Sequence, residues 1–257
     1  MKLGFLGTGA LTAAIVTGLK SGADNPVSVV LSPRNEEIAA NLASRFPNVR
    51  VAADNQAVLD ACDTVMLAVR PQIAHQLLPE LRFRRDHHLI SLIATLSREE
   101  IIGLTAPVSR VTKALPMPMI AHRLGATIIY PPDPGVRALL GGLGNVIEVD
   151  SSSEFDALSV VTATYATYFK YLDTIHRWLE AHGVPDTKGR DYLYRGALQG
   201  AGTRSGDADF THLAQDYATR GGINEQVLGD LTARNVFDAL TESLDSVHRH
   251  ISAAGAT

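Results

Sequence analysis

The sequence predicts a two-part protein: an α/β doubly wound sheet domain followed by an all-helical domain. Three observations predict it. Short apolar runs alternate with amphipathic stretches through the first part of the chain. A Gly7-Thr8-Gly9 turn directly follows the first apolar run. Beyond Asp150 the strand pattern stops and apolar residues recur at spacings of three and four.

The elements follow in order. Lys2–Leu6 reads as a buried strand, and Leu11–Leu19 as a helix with Leu11, Ile15, Val16 and Leu19 on one face. Val27–Leu31 is the second strand, Glu36–Arg45 the second helix and Val49–Ala52 the third strand. Asn55–Ala61 is helical, and Thr64–Val69 is a fully apolar strand. Helix Ile73–Leu81, strand His88–Ile93, helix Arg98–Leu104 and strand Ser109–Ala114 continue the alternation, with further strands at Thr127–Tyr130 and Val146–Val149. The alternation implies a parallel sheet over residues 1–150.

Residues 151–257 form the second domain. Ser153 with Asp156 is a helix-start pattern. Phe155, Leu158, Val161, Tyr165, Tyr168, Leu172, Ile175 and Leu179 then predict one long amphipathic helix, stopped by Gly183 and Pro185. Further helices are expected over Thr187–Gly200, Asp209–Tyr217 and Gly222–Ile251. A small helical unit with apolar stripes on several faces completes its core with a second copy, so a homodimer or higher homo-oligomer is expected.

Composition narrows the classes. The 257 residues carry 23 Lys plus Arg and 27 Asp plus Glu, a net charge of −4. Residues 1–150 hold 14 basic and 13 acidic side chains, and residues 151–257 hold 9 and 14. Neither half has the basic face of a nucleic-acid binder. A single cysteine, Cys62, excludes an internal disulfide and a cysteine-built zinc site, and no histidine pair has metal-ligand context. No apolar run reaches membrane-spanning length. Gly4, Gly7 and Gly9 interrupt the apolar start that could pass for a signal peptide, so a cytoplasmic location is the expectation.

Gly7-x-Gly9 lies between a strand and a helix, where a dinucleotide pyrophosphate needs a tight turn, a close backbone and a helix N-terminus. Gly7, Thr8, Gly9, Ala10 and Leu11 are therefore cofactor-side candidates. Thr12 stands where the usual fingerprint has Gly or Ala. The second strand ends in Leu31-Ser32-Pro33-Arg34-Asn35, without the acid that holds an unphosphorylated ribose. Ser32 and Arg34 suit a 2′-phosphate, so NADP(H) is the expected cofactor; equally, Ser32 could cap the second helix and Arg34 be solvated. Ala68, Val69, Arg70 and Pro71 close the fourth strand at the sheet's carboxyl edge, where ligands bind.

These residues resemble the pyrroline-5-carboxylate reductase family. Its N-terminal GxG, LAVKPQ and SPGGTT patterns appear here as Gly7-Thr8-Gly9, Leu67-Ala68-Val69-Arg70-Pro71-Gln72 and Thr219-Arg220-Gly221-Gly222-Ile223-Asn224, in order over nearly the whole chain. The resemblance implies an NADPH-binding Rossmann domain, a helical dimerisation domain, and hydride transfer to a cyclic C=N bond. It also implies a place beside the adenosine for Asn55, and Ala94 joins the cofactor side. The family's PNTP is Pro116-Met117-Pro118-Met119 here, its GSGPAY is Ala163 to Tyr168, and its imine-contacting threonine is Asn224. Cofactor motifs are kept and substrate motifs altered, the pattern of a divergent member with its own substrate.

Imine reduction needs a positioned substrate carboxylate and a proton or hydrogen bond at nitrogen. Gly221 and Gly222, at a helix start, could hold the carboxylate of a small carboxylate-bearing imine on their N–H groups, with Thr219 and Arg220 beside them. Asn224 is placed to hydrogen-bond the imine nitrogen, and Tyr168 to supply a phenolic proton; helix periodicity alone also explains Tyr165 and Tyr168 as core. Arg220 could pair with a second acidic group or be a solvated turn residue. Two alternatives remain: reduction of another imine or keto substrate, and a non-catalytic NADP-binding oligomer.

Overall fold

The structure, a computed structural model, describes residues 1–21, 26–196 and 209–254. The chain forms two compact units, Met1–Ser159 with Arg249–Thr257, and Val160–His248.

The first unit holds an eight-stranded sheet. Its strands are β1 (Lys2–Leu6), β2 (Ser28–Leu31), β3 (Val49–Val51), β4 (Thr64–Leu67), β5 (His88–Ser91), β6 (Arg110–Leu115), β7 (Ala126–Tyr130) and β8 (Asn145–Glu148). They lie in the order β3-β2-β1-β4-β5-β6-β7-β8. Helices α1 (Ala10–Lys20), α2 (Glu36–Arg45), α3 (Asn55–Ala61), α4 (Pro71–Leu77) and α5 (Arg98–Leu104) follow the first five strands. Because both sheet faces are covered, the strands alternate core with core. Leu3, Phe5 and Met66 pack with Ile15, Val16 and Leu42, whereas Leu6, Val65 and Leu67 pack with Val58, Ala74 and Ile101.

The sheet departs from the expected parallel pattern at one place. β7 runs antiparallel to β6, with Lys113 opposite Tyr130 and Leu115 opposite Ile128. The Pro116–Gly125 connection holds only a 3-10 turn over Pro118–His122, too short for a crossover helix. The sequence reading also missed α6 (Pro134–Gly141) between β7 and β8. Its start is written as Asp133-Pro134: the Asp133 carboxylate accepts the Gly135 and Val136 amides at 2.9 and 3.0 Å, and Pro134 needs no acceptor.

The break between units comes later than Asp150. Helix α7 (Ser152–Val161) belongs mostly to the first unit because Phe155, 1% exposed, packs with Ile128 and Val149. The single long helix expected over Phe155–Leu179 is two helices, α7 and α8 (Thr164–Ala181). At the junction the Ala163 amide reaches back three residues to Val160, and the Thr164 hydroxyl takes the Val161 carbonyl. That tightened turn separates α7 from α8 while the apolar spacing that suggested continuity runs on.

The second unit also contains α9 (Asp186–Leu193), α10 (Phe210–Tyr217), α11 (Ile223–Ala233) and most of α12 (Val236–Ala254). The last four residues of the helix expected over Thr187–Gly200 lie outside the described residues. The helix expected over Gly222–Ile251 is divided at Asn235, whose φ of 57° is left-handed and ends α11. Among the described residues of this unit only Val160, Leu172 and Gly189 are buried. Tyr171, Trp178, Phe210, Val227 and Phe237 are exposed.

Candidate functional site

The strand order reverses beside β1, between β2 on one side and β4 on the other, and loops leave the two directions to open a crevice at the carboxyl ends. A cleft of about 750 Å³ lies there, lined by the loops after β1 (Gly7 to Gly9), β2 (Arg34 to Glu36) and β4 (Ala68 to Arg70), with Gln72 and Ile73 of α4. Gly7 has φ of 100°, and a Cβ on it would stand 2.4 Å from the Ala68 carbonyl oxygen. Only glycine lets the first and third loops meet. Gly9 differs: it is the extended N-cap of α1 without a side-chain cap, and nothing lies within 4 Å of its Cβ position. With no side-chain cap, the first-turn amides of α1 carry no side-chain acceptor, which is the condition a bound phosphate requires.

The polar atoms beneath this turn are consumed in holding it. Thr8 Oγ1 donates to the Ser32 carbonyl at 2.7 Å, and Thr12 Oγ1 donates to the Gly7 carbonyl at 2.7 Å. Thr12 is fully buried, so the departure from Gly or Ala at the third fingerprint position is absorbed by one hydrogen bond. Ser32 corrects the expectation. It has no accessible surface, and its hydroxyl accepts the Gly7 amide at 2.9 Å. It shapes the turn and does not face the cleft. Nor does it cap α2; that is done by Asn35, whose side chain accepts the Ile38 amide at 3.3 Å.

Arg34 and Arg70 are exposed on the cleft and have no ion-pair partner among the described residues, and Glu36 is the acid beside them. Of the other expected cofactor-side residues, Ala10 and Leu11 begin α1 and Pro71 begins α4, so they border the cleft through the backbone. Asn55 sits at the start of α3, past the end of β3, and does not line the cleft. Ala94 follows β5 and its carbonyl accepts Lys113 Nζ at 3.2 Å. Asn35, Glu36, Gln72 and Ile73 were missed by sequence reasoning; their signal was adjacency to the ends of β2 and β4.

The expected substrate residues belong to the second unit. Gly222 is the N-cap of α11, and Gly221 has φ of 75°. Their two amides, expected to hold a carboxylate, are already bonded. The Gly221 amide donates to Glu225 Oε2 at 2.6 Å, and the Gly222 amide donates to the Thr219 carbonyl at 2.8 Å. A Glu in the first helical turn reaching back to the preceding backbone is the physical reason. Thr219, Arg220 and Asn224 are exposed around this turn. Tyr165 and Tyr168 are half-exposed on α8, and Tyr168 contacts Phe169 at 5.9 Å between ring centres. They are not core residues of the described chain.

One cluster has metal-ligand composition among the described residues: His176, Glu180 and Asp186 bring ligand atoms within 4.8 Å of one another. Asp186 is already bonded to Arg190, and His176 Nε2 faces the Asp186 carbonyl at 3.2 Å, so the group ties α8 to α9.

Residues 2–95, which contain the cleft's glycine turn and its β2 and β4 loops, match the family described as NADP oxidoreductase coenzyme F420-dependent. The chain is 22% identical to a pyrroline-5-carboxylate reductase of Haemophilus influenzae over 95% of its length and 94% of the relative's. Its fold matches that of the 1-pyrroline-5-carboxylate reductase of Streptococcus pyogenes, with a TM-score of 0.83 at 19% identity over 100% of this chain and 99% of the other. It also matches the Plasmodium falciparum pyrroline carboxylate reductase with NADP bound, with a TM-score of 0.84 at 15% identity over 99% and 98%. Along nearly its whole length the chain is thus similar in sequence to pyrroline-5-carboxylate reductases, and it shares their fold.

Proposed function

We propose that the protein is an NADPH-dependent reductase that delivers hydride to the C=N bond of a cyclic imine related to pyrroline-5-carboxylate. The observation that supports this best is the cleft itself. A glycine turn fixed by buried and part-buried hydrogen bonds, an uncapped helix N-terminus and two arginines without an ion-pair partner among the described residues lie at the reversal point of the sheet, in a chain that aligns along its length with reductases of this kind. The α1 amides would hold the pyrophosphate, and Arg34 and Arg70 the 2′-phosphate side. When bound, the nicotinamide supplies the hydride. Asn224 would hydrogen-bond the imine nitrogen, and Tyr168 would supply the proton. The scarcity of buried side chains among the described residues of the second unit supports a homodimer, in which a second copy covers its apolar side chains.

Glu225 favours a second reading of the substrate. With the Gly221 and Gly222 amides already bonded, an imine without a carboxylate meets less competition there than one with it. Following NADPH oxidation at 340 nm with pyrroline-5-carboxylate and with uncharged 1-pyrroline tests both readings. Turnover of either supports the reductase, and their ratio assigns the substrate class. Tight NADPH binding without turnover on a broad imine and ketone panel would identify a non-catalytic binder.

A further inference from the structure

The most deeply placed cation of the first unit lies outside the nucleotide cleft. Lys113, on β6, is 5% exposed. Its Nζ donates to the Ala94 carbonyl at 3.2 Å and stands 4.7 Å from the centre of the Phe155 ring. An ammonium has three donors, and among the described residues the Ala94 carbonyl is its one hydrogen-bond acceptor. Burial lowers its pKa from the ordinary lysine value, against the pull of Asp156, Glu100 and Glu99. Asp156, on α7, acts most strongly of the three, yet it makes no ion pair with Lys113.

Between them is a cavity of about 240 Å³, lined by Ala94, Leu96, Lys113, Tyr130, Phe155 and Asp156 among others. It shares no lining residue with the nucleotide cleft. A single water occupies about 30 Å³ in the liquid, so the space is large enough for a molecule of several heavy atoms. The other charges nearby are engaged. Arg98 donates to the Val111 carbonyl at 2.9 Å and lies 3.7 Å from Glu99, and Glu100 accepts the Ser97 amide and hydroxyl. What remains is one cation and one anion facing the same space without touching. A simple carboxylate would satisfy Lys113 but face Asp156, and a simple amine would do the reverse. A molecule carrying both charges satisfies both.

We propose that this cavity binds a small zwitterionic amino acid, its carboxylate on Lys113 Nζ and its ammonium on Asp156. The rings of Tyr130 and Phe155 supply the apolar contact. The site stands whether or not the nucleotide cleft reduces an imine.

Isothermal titration of the full chain with glycine, L-alanine, L-proline and L-glutamate, and with acetate and methylamine as single-charge probes, tests it. Saturable binding of at least one amino acid is expected, with neither single-charge probe binding comparably. Asp156→Asn weakens that binding tenfold or more and leaves NADPH titration unchanged; Lys113→Met abolishes it. No saturable binding of any of the four amino acids overturns the proposal. So does binding that survives both substitutions, which locates it elsewhere, or acetate binding as tightly as the amino acids. If Lys113→Met does not fold, retained binding by Asp156→Asn is by itself decisive against it.

Discussion

Ser32 Oγ accepts the Gly7 amide at 2.9 Å, so the residue just after β2 holds the turn that follows β1. Removing it leaves a part-buried donor without its partner, at a cost of about 1 kcal/mol. Ser32→Ala is expected to lower the midpoint of thermal unfolding and raise the NADPH KM together. Gly7→Ala goes further, because its Cβ meets the Ala68 carbonyl in a left-handed backbone. NADPH binding, read by fluorescence titration, should be lost.

Arg34 is exposed on the cleft without an ion-pair partner among the described residues, so it is available to a phosphate. A charge-assisted hydrogen bond contributes about 1.5–3 kcal/mol, and 1.4 kcal/mol is about tenfold. Arg34→Ala should therefore raise the NADPH KM roughly tenfold and leave the NADH KM nearly unchanged. Equal effects on both cofactors would remove Arg34 from the 2′-phosphate.

Glu225→Ala releases the Gly221 amide. Losing a first-turn acid costs the helix only about 0.3–1 kcal/mol. The KM for pyrroline-5-carboxylate should fall severalfold while that for 1-pyrroline stays constant. Arg220→Ala in the same assay reports on a second acidic group: changed selectivity between mono- and dicarboxylate imines supports that role, and unchanged selectivity removes it.

His87 predicts the acid side of stability. Its Nδ1 accepts the Arg84 amide at 3.0 Å, which makes Nε2 the protonated nitrogen, 3.1 Å from the Leu59 carbonyl. Burial first, then Arg84, lowers its pKa below 6.5, and burial lowers that of His88 too. Both contribute fully above the unfolded value of 6.5 and lose that contribution as pH falls toward their folded values. Thermal midpoints should drop from pH 7.5 to 5.5. Replacing His87 by Gln should lower the pH 7.5 midpoint and flatten the slope; an unchanged slope would contradict this assignment.

Much of the first unit could be read from sequence because two-faced burial writes itself as short apolar runs, and Thr64–Leu67 or Glu36–Arg45 allow no other period. The helical breaks were hidden for the opposite reason. At Thr162 and Ala163 the apolar spacing runs on through a 3-10 turn, and at Asn235 one left-handed residue ends a helix without glycine or proline. At the site, Gly7 was legible because only a backbone demand explains it. Ser32 was misjudged because its chemistry suits a phosphate as well as an amide. Glu225 was overlooked because its partner is a backbone N–H, which leaves no mark in sequence.

With three buried residues among those described between Val160 and His248, the helical unit has little interior of its own. A partner that supplies one makes the unit's stability a matter of mass action. Its thermal transition should shift with protein concentration, while a transition of the sheet unit, which closes its own core, should not. Dilution would then act as a denaturant for one half of the molecule only. Phe237→Glu should mimic dilution at any concentration, with light scattering reporting the monomer mass.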